Sequence, residues 1–189
     1  EKYRLAIDLV YSQLKTQPRT STGNFWHKEI YPNQIWLDGL YMAQPFYMQY
    51  EVTYNNSTNC KDCYQQFVNV YNLMRDLRNG LYYHAYDDSR TSFWCDKVTG
   101  LSDNFWLRAL GWYAMALIDT MEVMPEETLG SEKKEMNRIY KELIDSMLPY
   151  QDEETGMWYQ VVNRGGIHPN YLETSGSAIF ARLPNDSCK

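Results

Sequence analysis

Long apolar runs are missing from this chain. No stretch approaches the roughly eighteen uncharged residues of a bilayer-spanning helix, and the first thirty positions lack the basic, apolar and small-residue order of a secretory signal. The chain is therefore read as soluble, with the cytoplasm as its expected compartment. It begins with Glu1 rather than Met, so the leader of a longer parent stays open. An excess of basic charge is also missing: the formal net charge is -6, which argues against a nucleic-acid or anionic-membrane binder. One acidic small substrate remains compatible, because a few local Arg and His residues suffice to hold a carboxylate. Cysteine is sparse, at Cys60, Cys63, Cys95 and Cys188. Cys60 and Cys63 form one CxxC with no second pair and no His cluster, beside the polar run 55–59, and read as a surface loop entering a helix rather than a metal or redox site. No Pro-, Gly- or Ser-rich linker divides the chain, so residues 1–189 read as one domain or part of one.

Aromatic residues are abundant. Phe, Trp and Tyr make up 15% of the chain, including 17 Tyr and 6 Trp. Planar rings with polar tips suit sugar faces, and an aromatic-rich core is the alternative; composition does not choose between them.

Periodicity predicts two kinds of helix. Segments 2–16 (Tyr3, Ala6, Ile7, Val10, Leu14), 62–78 (Tyr64, Phe67, Val68, Tyr71, Met74) and 131–149 (Met136, Ile139, Tyr140, Leu143, Ile144, Met147, Leu148) each carry one apolar face. Segments 34–49, 104–123 and 171–182 are apolar nearly all round and rich in small residues, as buried helices are. Pro45 predicts a kink or an early end in the first of these. The two kinds alternate, and the loop joining each pair repeats: Gly23-Asn24-Phe25-Trp26-His27, Gly80-Leu81-Tyr82-Tyr83-His84 and Gly156-Met157-Trp158-Tyr159-Gln160. Glycine is expected to end each outer helix in the left-handed cap, with the fifth, polar residue pointing into a common mouth. The unit is an α/α hairpin, present three times, in an open solenoid or part of a toroid. Three hairpins are too few to close a ring, so part of the ring is expected to be missing, and an exposed half-ring is expected to self-associate.

Asp38 is the one ionisable residue in an otherwise apolar first turn. The helix N-terminus favours its anion and burial disfavours it, so the balance decides whether it can act as an acid; an N-terminal capping role is the ordinary alternative. Arg108, among apolar neighbours, needs an anion, either an acidic side chain or a substrate carboxylate, and Trp112 one turn on could share an acidic sugar with it. His27 and His84 occupy matching loop positions, for hydrogen bonding to substrate or for tying the loop down. His168 has no repeat partner. Glu173 and Thr174 hold the third matching position, Glu173 as a second carboxylate or as a salt-bridge partner for Arg. Asp87, Asp88, Asp96 and Asp103 in the loop 84–104 read as loop caps or turn residues, and the length of that loop hints at binding.

Four motifs in order, Trp36-Leu37-Asp38-Gly39-Leu40-Tyr41-Met42, the loop 80–84, Phe105-Trp106-Leu107-Arg108-Ala109-Leu110-Gly111-Trp112-Tyr113 and Tyr171-Leu172-Glu173-Thr174-Ser175-Gly176-Ser177-Ala178, resemble the unsaturated rhamnogalacturonyl hydrolases, glycoside hydrolase family 105. The resemblance implies an all-α (α/α)6 toroid, of which this chain supplies about three hairpins, and a further functional Asp on a hairpin before residue 1. It implies hydrolysis of a pectin-lyase product bearing 4,5-unsaturated galacturonic acid on rhamnose, by hydration of a vinyl ether. By the same resemblance Asp38 is the catalytic acid, and His27, Trp36, Tyr41, His84, Arg108 and Trp112 match substrate-pocket positions. No metal and no organic cofactor are implied. Pro184 is expected to stop the last buried helix early. Two other readings stay open: a toroid glycosidase or polysaccharide lyase using Asp38 and Glu173 as a carboxylate pair, and a non-catalytic helical-repeat module.

Overall fold

The computed structural model describes residues 2–183; the expectation for Pro184, and Cys188, lie outside the described residues. Among the described residues the α-helices are α1 (Lys2–Leu14), α2 (Leu37–Tyr54), α3 (Cys60–Met74), α4 (Leu107–Val123), α5 (Glu126–Met147) and α6 (Thr174–Arg182). Two three-residue strands, β1 (Gln34–Trp36) and β2 (Ala85–Asp87), pair antiparallel with Trp36 opposite Ala85.

The alternation read from periodicity is present. α2, α4 and α6 pack side by side as an inner layer, and α3 and α5 cover them from outside. The outer stripes bury as expected in α3 and α5, where Phe67, Val70, Met74, Met136, Ile139, Leu143 and Met147 are almost wholly enclosed. One continuous hydrophobic cluster joins the three hairpins. None of the described helices is long and apolar enough to cross a membrane.

Four expectations need correction. The predicted face of α1 is only partly its buried face: Ile7 and Leu14 pack against the core, but Tyr3 is 80% and Val10 46% exposed, and Tyr11, outside the predicted stripe, is the residue that enters the core. Leu5 and Leu9 also stay uncovered, and Met42 of α2 is 61% exposed, so apolar surface is open along this edge. Of the kink or early end expected at Pro45, the early end does not occur: α2 runs through it to Tyr54. The turns beyond the proline are anchored by buried Tyr47, Met48 and Glu51, the last accepting hydrogen bonds from Tyr11 Oη at 2.5 Å and from Asn59 N at 2.8 Å. Cys60 and Cys63 are not on a surface loop; both are buried thiols in the first turn of α3, and burial pushes both thiols up from their ordinary pKa.

The loop glycines are left-handed as expected, with φ of 93° at Gly23, 79° at Gly80 and 70° at Gly156. They do not cap the outer helices, which end several residues earlier. Each closes a tight hairpin instead. Asp76 N donates to Leu81 O and Gly80 N to Asp76 O, and Asp152, Gly156 and Met157 repeat the pair of bonds, each at 2.8 Å. The aspartate carboxylates accept from amides inside the turn, Arg78 N for Asp76 and Thr155 N for Asp152. A further copy, Asp96 to Leu101 with Gly100 at φ 80°, lies in the loop 84–104.

Candidate active site

The inner helices begin by a shared device. First-turn amides have no acceptor within their own helix, and here the next hairpin's loop supplies one: Leu37 N donates to His84 O at 3.1 Å, and Leu107 N to Gln160 O at 2.9 Å. His84 N in turn donates to Asn104 O at 3.2 Å, and His27 N to Gln34 O at 2.8 Å. The loop histidines are thereby fixed beside the helix starts. The helices open at Leu37, Leu107 and Thr174, so their second residues are Asp38, Arg108 and Ser175. Glu173 is one turn-entry earlier than its predicted match: it is the N-cap of α6 and accepts from Gly176 N at 2.7 Å.

Asp38 Oδ2 lies 3.3 Å from His84 Nε2, with only 16% of the Asp38 side chain and 20% of the His84 side chain exposed. The atoms are at ion-pair distance but are not aligned as a hydrogen bond, and each is buried with that bonding position unmet among the described residues. Burial pushes the Asp38 carboxyl up; the His84 imidazole beside it, its own helix amide and the nearby His27 outweigh this and hold it below its ordinary range. Asp38 in the free site is thus a carboxylate. His27 is shifted down, chiefly by burial, against the pull of Asp38. Gly39 makes room for it: a Cβ there would stand 3.0 Å from His27 Nδ1.

Around this pair the rings form a continuous row. His27 stacks on Trp36 with centroids 4.5 Å apart, Trp36 meets His84 edge-on at 5.2 Å, His84 stacks on Trp106 at 4.9 Å, and the Arg108 guanidinium lies 4.3 Å over Trp106. Tyr31 adds a second ring parallel to Trp36 at 5.0 Å. One turn further along α2 and α4, Tyr41 stacks on Trp112 at 4.8 Å. Arg108 does not pair with Trp112. Its Nη1 turns toward α6, to Glu173 Oε1 at 3.1 Å and Ser175 Oγ at 3.3 Å, while 36% of its side chain stays exposed.

The structure therefore joins His27, Trp36, Asp38, His84 and Arg108 in one row and sets Tyr41 and Trp112 beside each other on the same two helices. His168 is an exposed loop residue without a contact to the row. Glu173 is 5% exposed and committed to Gly176, Ser175 and Arg108, which suits the salt-bridge reading and leaves little of it for a carboxylate pair with Asp38. Asp87 and Asp96 are loop caps as expected, Asp87 accepting from Ser89 N, Thr91 N and Ser92 N.

Residues 1–183 match the family described as Glycosyl Hydrolase Family 88. A solved glycoside hydrolase of family 105 from C. acetobutylicum ATCC 824 superposes with a TM-score of 0.91 at 42% identity, over 95% of this chain and 49% of that one.

The chain belongs to the family 88/105 glycoside hydrolases.

Among curated relatives, Protein Atu3128 of Agrobacterium fabrum is 36% identical over 140 residues, 74% of this chain and 58% of the relative. The unsaturated rhamnogalacturonyl hydrolase YesR of Bacillus subtilis is 25% identical over 181 residues, 93% of this chain and 49% of the relative. The chain thus spans about half the length of the relatives it matches, and its three hairpins have the fold of part of the family's (α/α)6 toroid. The row of rings and the Asp38–His84 pair lie where this chain's inner helices α2 and α4 begin.

Three further rings, absent from the predicted site, stand at it or beside it. Trp106 precedes Leu107-Arg108 as Trp36 precedes Leu37-Asp38, and that register was the available signal. Tyr31 and Trp94 carried none, since both sit in loops without periodicity. Trp94 lines a cleft of about 300 Å³ with Trp36, His84, Ser102, Asp103 and Asn104.

Proposed function

We propose that the full-length protein releases 4,5-unsaturated galacturonic acid from unsaturated rhamnogalacturonan oligosaccharides. The observation that carries this reading is the Asp38–His84 pair, half-enclosed by sugar-sized rings and with hydrogen-bonding positions unmet. In the proposed step Asp38 delivers a proton to C4 of the double bond and accepts one from the water that adds at C5. The C5 hemiketal opens to a ketone, and the hemiacetal left at C1 releases rhamnose. Protons balance over the cycle, and one water is consumed.

The free carboxylate must first be protonated. An arriving uronate brings a second negative charge and expels water, and both raise the pKa of a carboxyl; the His84 imidazole 3.3 Å away is the group placed to relay the proton. Arg108 is held through Nη1, so the rest of its planar fork is available to the substrate carboxylate. Trp36, Trp106, Tyr41 and Trp112 offer faces for the sugar ring. A cytoplasmic location belongs to the same proposal, and the unpaired thiols of Cys60, Cys63 and Cys95 suit a reducing compartment.

The test is to incubate the full-length protein with the unsaturated galacturonyl-rhamnose disaccharide and follow double-bond absorbance together with rhamnose release. Both should change in equal amounts. Folded protein that leaves the absorbance unchanged would contradict the proposal.

A further inference from the structure

Trp94 lies outside the row of rings, and its loop is built to hold it in place. Asp87, fully buried, accepts from Ser89 Oγ at 2.6 Å, Ser92 N at 2.7 Å, Ser89 N at 2.9 Å and Thr91 N at 3.1 Å. Gln34 Nε2 donates to Ser92 Oγ at 2.9 Å, while Gln34 Oε1 accepts from Trp36 Nε1 at 2.9 Å. One side chain thereby couples the loop to Trp36. On the far side of Trp94 the Asp96–Leu101 hairpin closes the loop. A loop pinned at both ends presents its side chains in a pre-organised geometry, which lowers the ordering cost of binding.

What it presents is aromatic. Phe93 is 98% exposed, and Trp94 lines the cleft together with Trp36 and His84. Trp94 is half-buried and adds its ring to a lining that is mostly apolar with a few polar groups, the make-up of a small-molecule site. Ser102, Asp103 and Asn104 also line it, groups that bond to hydroxyls, and no Lys or Arg is among the lining residues. Asp103 gives this cleft a negative bias. Arg108 is separated from His84 by the Trp106 ring and is not among the residues lining the cleft. The surroundings of His84 therefore differ in charge: a cation beyond Trp106, a carboxylate with neutral polar groups in the cleft.

We infer that the Trp94 cleft is the leaving-group subsite, in which Trp94 stacks on a neutral sugar ring and Asp103 disfavours a second uronate. This rests on the proposed reaction at Asp38, which needs the scissile bond to lie beside His84, with the unsaturated uronate on the Arg108 side. Trp94 is thus a specificity-determining residue for the sugar that departs.

The test uses equilibrium binding to the full-length protein carrying Asp38→Asn, in which turnover is too slow to consume the probes during the measurement. Three probes are compared: the methyl glycoside of 4,5-unsaturated galacturonic acid, the same uronic acid linked to rhamnose, and the same uronic acid linked to a second galacturonate. The rhamnose-linked probe should bind at least tenfold more tightly than the methyl glycoside. Trp94→Ala should abolish that advantage while leaving the methyl glycoside within twofold. Asp103→Asn should improve the galacturonate-linked probe severalfold and change the other two by less than twofold. Equal weakening of all three probes by Trp94→Ala, or no gain from rhamnose in the parent, overturns the subsite while leaving the Asp38 reading intact. Failure of the parent to bind any of the three overturns both.

Discussion

Replacing Glu173 separates two roles that one carboxylate could hold. Its Oε2 accepts from Gly176 N at 2.7 Å, and its Oε1 pairs with Arg108 Nη1 at 3.1 Å. Losing an N-cap acceptor costs about 1 kcal/mol. The ion pair adds little, about 0.5 kcal/mol, because the Arg108 side chain is 36% exposed and water screens it. Glu173→Ala should therefore destabilise the full-length protein by about 1.5 kcal/mol. Glu173→Gln keeps an acceptor for Gly176 N and loses only the charge, so it should cost about 0.5 kcal/mol. Urea unfolding of the three proteins measures the ladder. The same Gln variant addresses chemistry: removing a general base lowers turnover by about 10²–10⁴-fold, whereas a cap and orienter of Arg108 should leave kcat within about fivefold and raise KM. A Gln variant as unstable as the Ala variant would refute the capping role. A thousandfold loss of kcat in a stably folded Gln variant would restore Glu173 as a catalytic carboxylate.

Gly39→Ala places a methyl 3.0 Å from His27 Nδ1; alanine is no worse than glycine in a helix, so stability should hold within about 1 kcal/mol while kcat/KM falls, as steady-state kinetics would show. Asp87 has its pKa lowered to about 2: burial pushes it up, and the Ser89 and Ser92 donors more than offset this. A depressed carboxyl contributes stability that is complete above its ordinary value of 3.8 and is lost as pH falls through about 2. Asp87→Asn should therefore cost about 2 kcal/mol at neutral pH and flatten the acid limb of a stability-against-pH curve between those values; an unchanged limb would contradict the assignment. In His84→Ala, burial of Asp38 is no longer opposed by the imidazole, so the Asp38 carboxyl should titrate at higher pH than in the parent protein, as carboxyl carbon NMR would record.

Much of the hairpin order was legible because burial writes a period into the sequence. The stripes of α3 and α5 face a core on one side and water on the other, and Phe67 to Met74 and Met136 to Met147 show it. The same rule fails for α1, where two overlapping apolar faces exist and only tertiary contact selects Tyr11 over Tyr3. The glycine-aromatic loops reveal the repeat, whereas the Asp-x-x-x-Gly that opens two of them, Asp76–Gly80 and Asp152–Gly156, lies outside that pattern. That is why the copy at Asp96–Gly100, which lacks the aromatic pair, looked like mere loop. Asp38 and His84 were each visible as outliers of composition. Their 3.3 Å approach was not, since it depends on Leu37 N reaching His84 O across 47 positions of chain, and no local pattern encodes that bond. Arg108 among apolar neighbours needs an anion, and the packing of α6 against α4 brings Glu173 to supply it.

The central claim is that Asp38 is the proton donor at the row of rings. The direct measurement is turnover of the unsaturated galacturonyl-rhamnose disaccharide by the full-length protein carrying Asp38→Asn, with folding confirmed by its unfolding midpoint. The amide retains the shape and cannot deliver the proton, so kcat should fall by at least about 10²–10⁴-fold while the disaccharide still binds. A folded Asp38→Asn variant that turns over within tenfold of the parent rate would contradict it.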